Sequence, residues 1–195
     1  NARNTRIKQT SKFRKIQTDT YLEYQRQVSE ENFEDVVIRA VTGGGKTACA
    51  WIAFSMLANA GKVIKVCYLT PRENLKTQTA ESALKGIVIG GKRIRLQVNE
   101  ASNDIDPSRG LDGYVTTYQA LTSDRSQINA LEFERYPYLL VLDECHHAAV
   151  GGSTERALQP LVELAAARLF LSGTLERGDN KPIAFLPYTK ITGEK

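Results

Sequence analysis

Cysteine is scarce: three residues, Cys49, Cys67 and Cys145, an odd number with wide and irregular spacing. Neither a disulfide framework nor a zinc site is suggested by that count and spacing. Cys49 and Cys67 stand in apolar surroundings and read as small core residues. Histidine is scarcer still, His146 and His147 being the only two. A zinc site takes three or four ligands, and no further His/Cys cluster supplies them. No apolar run approaches the roughly 20 residues that cross a bilayer, and residues 1–15 lack the hydrophobic centre of a signal peptide. A soluble, cytoplasmic protein without a membrane partner is expected. Internal repeats and low-complexity tracts are lacking as well.

Acid is missing from the opening. Residues 1–15 hold Arg3, Arg6, Lys8, Lys12, Arg14 and Lys15 and no carboxylate, while the remaining chain carries 20 basic against 22 acidic residues. A solvated arm and an electrostatic contact to nucleic acid both fit residues 1–20. Charge alone does not make this a nucleic-acid protein. With 195 residues, 42% of them hydrophobic, the chain is long enough for one well-cored domain.

What is present is a strand-then-helix rhythm. Residues 36–41 read as a strand and residues 46–59 as a nearly all-apolar helix closed by Gly61. Residues 63–69 form the next strand and 71–85 the next helix, with 94–98 and 114–117 as further strands. The continuous apolar runs 138–142 and 169–171 suit strands covered on both faces, with a helix over 155–167 between them. Residues 99–113, holding Pro107, Gly110 and Gly113, read as a long loop. This alternation predicts an α/β fold with a mainly parallel sheet sandwiched by helices. In such sheets ligands bind beyond the carboxyl ends of the strands. Arg39 is the odd residue, since a central strand does not normally carry a charge.

The segment Ala40-Val-Thr-Gly-Gly-Gly-Lys-Thr47 lies between a strand and a helix. Three consecutive glycines let the backbone curl around an anion with its N–H groups pointing inward. Thr42, Gly43, Gly44 and Gly45 are therefore expected to line a nucleotide's phosphates. Lys46 reaches the β- and γ-phosphates, and the Thr47 hydroxyl holds Mg²⁺. The helix start behind them adds partial positive charge. Ala40 stands where the full phosphate-loop pattern asks for Gly. Downstream, Asp143-Glu144-Cys145-His146 ends the apolar run 138–142. ATP hydrolysis asks two tasks of such a pair: one carboxylate holds Mg²⁺, the other takes a proton from the attacking water. Asp143 is assigned to the metal and Glu144 to the water, with His146 as a hydrogen-bonding link near the γ-phosphate.

The phosphate loop and the Asp-Glu-Cys-His box resemble motifs I and II of superfamily-two helicases, in the branch whose box ends in histidine. Three further stretches agree in order and spacing: Tyr68-Leu-Thr-Pro-Arg-Glu-Asn-Leu75, Val115-Thr-Thr-Tyr-Gln119, and Leu171-Ser-Gly-Thr174, where Gly173 replaces the more usual alanine. Leu22-Glu-Tyr-Gln25 is similar to the element in which an aromatic and a glutamine face the adenine, and Gln25 has the donors and acceptors to read that edge. The stretch after Thr174 resembles helicases of the restriction-enzyme and phage type. The resemblance spans about residues 21–188 and implies a RecA-like ATP-binding domain that uses ATP and Mg²⁺. It also implies a nucleic-acid partner, DNA favoured over RNA, gripped through backbone phosphates by Arg72, Thr116 and Thr117. Ser172 and Thr174 would couple hydrolysis to strand movement. Such helicases work with two lobes, so a second RecA-like lobe is expected as partner, with residues 189–195 as a tail towards it. An RNA helicase lobe and a nucleotide-binding regulatory module are the alternatives.

Locally, Thr70-Pro-Arg-Glu73 reads as a capping box, with Thr70 as N-cap, Pro71 first in the helix and Glu73 reaching back. Arg72 there opposes the helix dipole, which suits a phosphodiester contact as well as an ordinary surface arginine.

Overall fold

Apolar runs without a wet face have to be covered on both sides, and the chain does this with one sheet between two layers of helices. A computed structural model of the chain describes residues 15–40, 45–125, 127–148, 151–173, 185 and 189–192. The strands are β1 (Val36–Arg39), β2 (Lys65–Thr70), β3 (Ile87–Ile89), β4 (Lys92–Ile94), β5 (Val98–Glu100), β6 (Gly113–Thr117), β7 (Tyr138–Asp143), β8 (Ala167–Ser172) and β9 (Thr189–Thr192). Seven of them form a sheet in the order β5-β6-β2-β7-β8-β1-β9, every neighbouring pair parallel, and β3 and β4 make a separate antiparallel hairpin. All residues of β2, β6 and β7 are buried.

Helices α1 (Lys15–Glu30), α2 (Lys46–Asn59) and α3 (Asn74–Lys85) pack on one face. Helices α4 (Tyr118–Thr122), α5 (Ile128–Arg135) and α6 (Ser153–Leu164) pack on the other. In α2 the residues Trp51, Ile52, Phe54 and Leu57 are buried in the core on that face of the sheet. Each contributes about 1.5–3 kcal/mol of hydrophobic stabilisation. Gly113 opens β6 because a Cβ there would collide with the Val66 backbone carbonyl.

Several expectations need correction. Helix α1 covers Lys15–Glu30 and buries Ile16, Thr20, Tyr24 and Gln27, so residues 15–20 pack on the domain. The expected strand over 94–98 is two short ones, because the Leu96 N–H bonds the Ala83 carbonyl at the end of α3, 2.9 Å away, instead of a strand. The expected helix over 155–167 ends at Leu164, since Ala165 turns extended and Ala167 starts β8. No capping box forms at Thr70: α3 starts at Asn74, and the Thr70 hydroxyl closes a tight turn with the Arg72 N–H and carbonyl. Glu73 reaches forward to Lys76 at 2.7 Å, because the buried ammonium needs a partner charge. Residues 189–192, expected in a tail, add β9 to the sheet edge beside β1. Arg39 ends β1 exposed, which removes the puzzle of a charge in a central strand. Residues 1–14, Thr42, Gly43, Gly44 and Thr174 lie outside the described residues.

Candidate functional site

Parallel strands bring their carboxyl ends to one edge, and the site grows there. β1 leads into the glycine loop, whose last member, Gly45, takes the left-handed conformation (φ 81°) as N-cap of α2. A side chain at that position costs about 1–2 kcal/mol, so glycine is the residue for it. Lys46 and Thr47 thus project from the first turn of α2, at the mouth of a cavity of about 380 Å³ that Asp143, Glu144 and α3 also line.

β7 delivers the acids. Asp143 is its last residue, and Glu144 follows in a left-handed conformation (φ 52°) that a side chain adopts only when its surroundings hold it there. This kink settles how two adjacent carboxylates reach one site, where a continuing strand would have sent them to opposite faces. The Lys46 ammonium lies 3.1 Å from Asp143 Oδ1 and also bonds Glu144 Oε1. The contact to Asp143 is an ion pair without hydrogen-bond alignment, and Oδ1 has no hydrogen bond. Its other oxygen accepts from the Tyr68 hydroxyl at 2.8 Å, and its backbone carbonyl accepts from the Tyr118 hydroxyl at 2.7 Å. Burial, and next the Asp143 charge, holds the Tyr68 hydroxyl far above the usual phenol range, so it stays a donor.

Glu144 has a second contact, with His146 Nδ1 3.3 Å from Oε2. The same ring nitrogen is 3.0 Å from Ser172 Oγ at the end of β8. A polar line therefore runs Lys46–Glu144–His146–Ser172, from α2 across the ends of β7 and β8. Ser172 ends β8 beside the end of β7, since the two strands pair.

Gln25 is exposed and lines an apolar groove of about 620 Å³ between α1, the far half of α2 and the β3–β4 hairpin. Gln17, two turns earlier, donates from Nε2 to the Gly45 carbonyl at 3.2 Å. At 1.5 Å per residue the two glutamines are about 12 Å apart along the helix. Gln17 carried no expected role; the resemblance of Leu22–Gln25 placed the adenine contact at Gln25. The buried residues Ile16, Thr20 and Tyr24 recur every four residues, and Gln17 lies beside that stripe. Tyr68 and Tyr118 were missed too; a phenol within an apolar strand, or just past its end, calls for a partner.

On the edge beyond β2 and β6, Thr70 and Thr117 are in register, so Arg72 and Thr117 do share one edge of the sheet. Arg72 is exposed. The two threonines are both buried. Thr116 is 1% exposed, with its hydroxyl buried and unpartnered, and Thr117 is 5% exposed and caps α4 by accepting from the Ala120 N–H at 3.1 Å. Strand alternation sends Thr116 into the core, and a helix start claims Thr117.

The donor set around Asp143 suits a hard cation. Carboxylate and hydroxyl oxygens from Asp143 and Thr47 are what Mg²⁺ takes, one or two protein ligands at a time. Among the described residues no group of three or more His, Cys, Asp or Glu could hold a metal, and no helix is long and apolar enough to cross a membrane.

Comparison with known proteins gives a consistent picture. The model of a family described as type III restriction enzyme, res subunit, matches residues 9–177. An uncharacterized protein of Mycobacterium leprae is 29% identical over 155 residues, which is 79% of this chain and 25% of that protein. The chain thus spans about a quarter of the length of the curated relatives it matches. Among solved structures, the Pyrococcus furiosus Hef helicase domain superposes with a TM-score of 0.59 at 21% identity, over 92% of this chain and 38% of that one. The Sulfolobus solfataricus SWI2/SNF2 ATPase core in complex with dsDNA superposes at 0.57 and 18%, over 87% and 34%. These two likenesses are of fold: a RecA-like parallel sheet between layers of helices.

Proposed function

Because the chain belongs to the family of type III restriction enzyme res subunits, a family with a helicase-like ATPase domain, we propose that it is the ATP-binding lobe of a nucleic-acid-dependent motor, with DNA as the polymer. The observation that carries this reading is the Lys46 ammonium held between Asp143 and Glu144 at the start of a helix that follows a glycine loop. A lysine clamped by two acids at a helix N-terminus is placed to exchange them for the phosphates of a nucleotide.

In this reading Lys46 leaves its carboxylates for the β- and γ-phosphates, and the N–H groups of residues 42–45 cradle them. Thr47 and Asp143 would hold Mg²⁺, which supplies charge neutralisation between the phosphates when bound. Glu144, freed from Lys46, accepts the proton of the attacking water through its Oε1. Its other oxygen stays beside His146, so that Ser172, and Thr174 after it, sense the phosphate state. Gln17, beside Gly45, takes the adenine-facing role in place of Gln25. Arg72 contacts backbone phosphate on the outer edge, without Thr116 or Thr117. A second RecA-like lobe completes the site with an arginine, since a single lobe leaves the γ-phosphate open on one side. Residues 21–188 are proposed as the core of this lobe, extended by the helix from Lys15 and by β9. Retention of Glu144 favours hydrolysis over a pure switch, which needs no water-activating carboxylate.

Titration with a fluorescent ATP analogue in the presence of Mg²⁺ tests the assignment. Binding is expected, is lost in Lys46→Ala, and in Gln17→Ala loses its preference for adenine over guanine nucleotides. Equal affinity in a folded Lys46→Ala chain refutes the site.

A further inference from the structure

Tyr68 lies fully buried within β2, in a strand whose other central residues are apolar. Its hydroxyl nevertheless reaches two groups of the proposed nucleotide site: it donates to Asp143 Oδ2 at 2.8 Å and is 3.4 Å from Thr47 Oγ1. We propose that Tyr68 is a positioning residue that orients both proposed Mg²⁺ ligands, Asp143 and Thr47, through one shared hydroxyl. The inference rests on the nucleotide-site reading above.

A phenol has a single O–H, and an ionised carboxylate can only accept, so the proton of Tyr68 is committed to Asp143. In the longer contact Thr47 must then be the donor, with the Tyr68 oxygen accepting. A threonine hydroxyl that gives its proton to Tyr68 keeps its own lone pairs for a cation. Asp143 is constrained in the complementary way. Oδ2 is tied to Tyr68, while Oδ1 has no hydrogen bond and faces only the Lys46 ammonium at 3.1 Å. Once phosphate draws that ammonium off, Oδ1 is the oxygen left to take a cation. Metal sites commonly use such outer partners to fix which atom of a ligand points inward.

Tyr68 is itself held in place. Its ring packs on Trp51 of α2, with centroids 5.5 Å apart and planes tilted by 38°. The Trp51 Nε1–H donates to Ser82 Oγ of α3 at 3.1 Å. The hydroxyl is therefore presented from a side chain braced by two helices, which is what a ligand-orienting group requires.

Tyr68→Phe keeps the ring and removes the hydroxyl. Calorimetric titration of the whole chain with ADP, with and without Mg²⁺, separates metal from nucleotide effects, and the electron paramagnetic resonance of Mn²⁺ reports metal binding independently of turnover. The expected result is unchanged affinity for metal-free ADP, with the enhancement by Mg²⁺ and the affinity for Mn²⁺ in the ADP complex each falling about tenfold or more. Full metal enhancement in Tyr68→Phe, whatever its melting temperature, overturns the proposal and leaves a packing role only. The Asp143→Asn background carries the same comparison without a bare buried carboxylate. There the hydroxyl has lost its ionic partner, and adding Tyr68→Phe should cost less metal affinity than it does in the parent; an equal cost counts against the proposal. If the parent shows no Mg²⁺-dependent ADP binding, or keeps it in Lys46→Ala, the nucleotide-site reading fails and this inference with it. If the parent behaves as expected and Tyr68→Phe matches it, only the role of Tyr68 fails.

Discussion

Replacing Glu144 with glutamine does two things in the proposed site. It removes the group assigned to accept the water proton, and it removes one of the two anions that hold Lys46 in the nucleotide-free chain. Phosphate binding requires Lys46 to leave those anions, so weakening their hold should tighten nucleotide binding even as turnover stops. The size follows from exposure. The Lys46 and Glu144 side chains are 12% and 23% exposed, which puts the pair between a surface ion pair, worth about 0–1 kcal/mol, and a buried one, whose disruption costs about 3–5 kcal/mol. Asp143 keeps its contact in the variant, and the new amide oxygen still accepts. A net change of about 1 kcal/mol is therefore reasonable, or about fivefold in Kd. The assay is titration of parent and Glu144→Gln with a fluorescent ADP analogue at low and high salt, beside ATP turnover in the enzyme joined to its second lobe. Tighter binding with no turnover is expected, with the gain shrinking as salt rises. Weaker binding than the parent would refute the competition between acids and phosphate. Turnover at the parent rate would refute the proton-accepting role.

Other consequences are as direct. Arg72→Ala should weaken binding of single strands of unrelated sequence alike, measured by anisotropy across a salt series, and reduce the log–log salt slope by about 0.7–0.9 while leaving ADP affinity intact; a base-dependent loss or an unchanged slope counts against a phosphate contact at that edge. Burial pushes the thiols up, to about 11 for Cys49 and Cys145 and about 12 for Cys67. The folded chain thus keeps protons that the unfolded chain releases from about pH 8.5, so the stability they contribute is complete below that pH and is lost as pH rises towards 11–12. Native protein should resist alkylation by iodoacetamide at pH 8, and its urea midpoint should fall between pH 7.5 and 9.5; rapid native alkylation contradicts the burial.

The local order of this chain was legible without any structure. Apolar runs of strand length alternating with helical periods leave few arrangements besides a covered parallel sheet, and β1, α2, β2, β6, β7 and β8 all formed within a few residues of where they were expected. The glycine run and the Asp143–Glu144 pair stand out in the sequence for a related reason: phosphate and carboxylate chemistry constrains residue type and short-range spacing, which a sequence displays directly. Other questions depended on distances between residues far apart in the chain. Gln17 stands beside Gly45 while Gln25 is about two turns away, because a helix spends 1.5 Å of rise on each residue and only its near end reaches the loop. Thr116 is buried by the pleat of β6, and Thr117 is engaged by the cap of α4. Glu73 turned forward because Lys76 is buried. Tyr68 meets Asp143 across 75 positions of sequence, and no period or motif encodes such a meeting. Sequence determined which elements form and which chemistry they carry, since both are local properties. Only the packed sheet decided which side chains meet, since that depends on strand order and register.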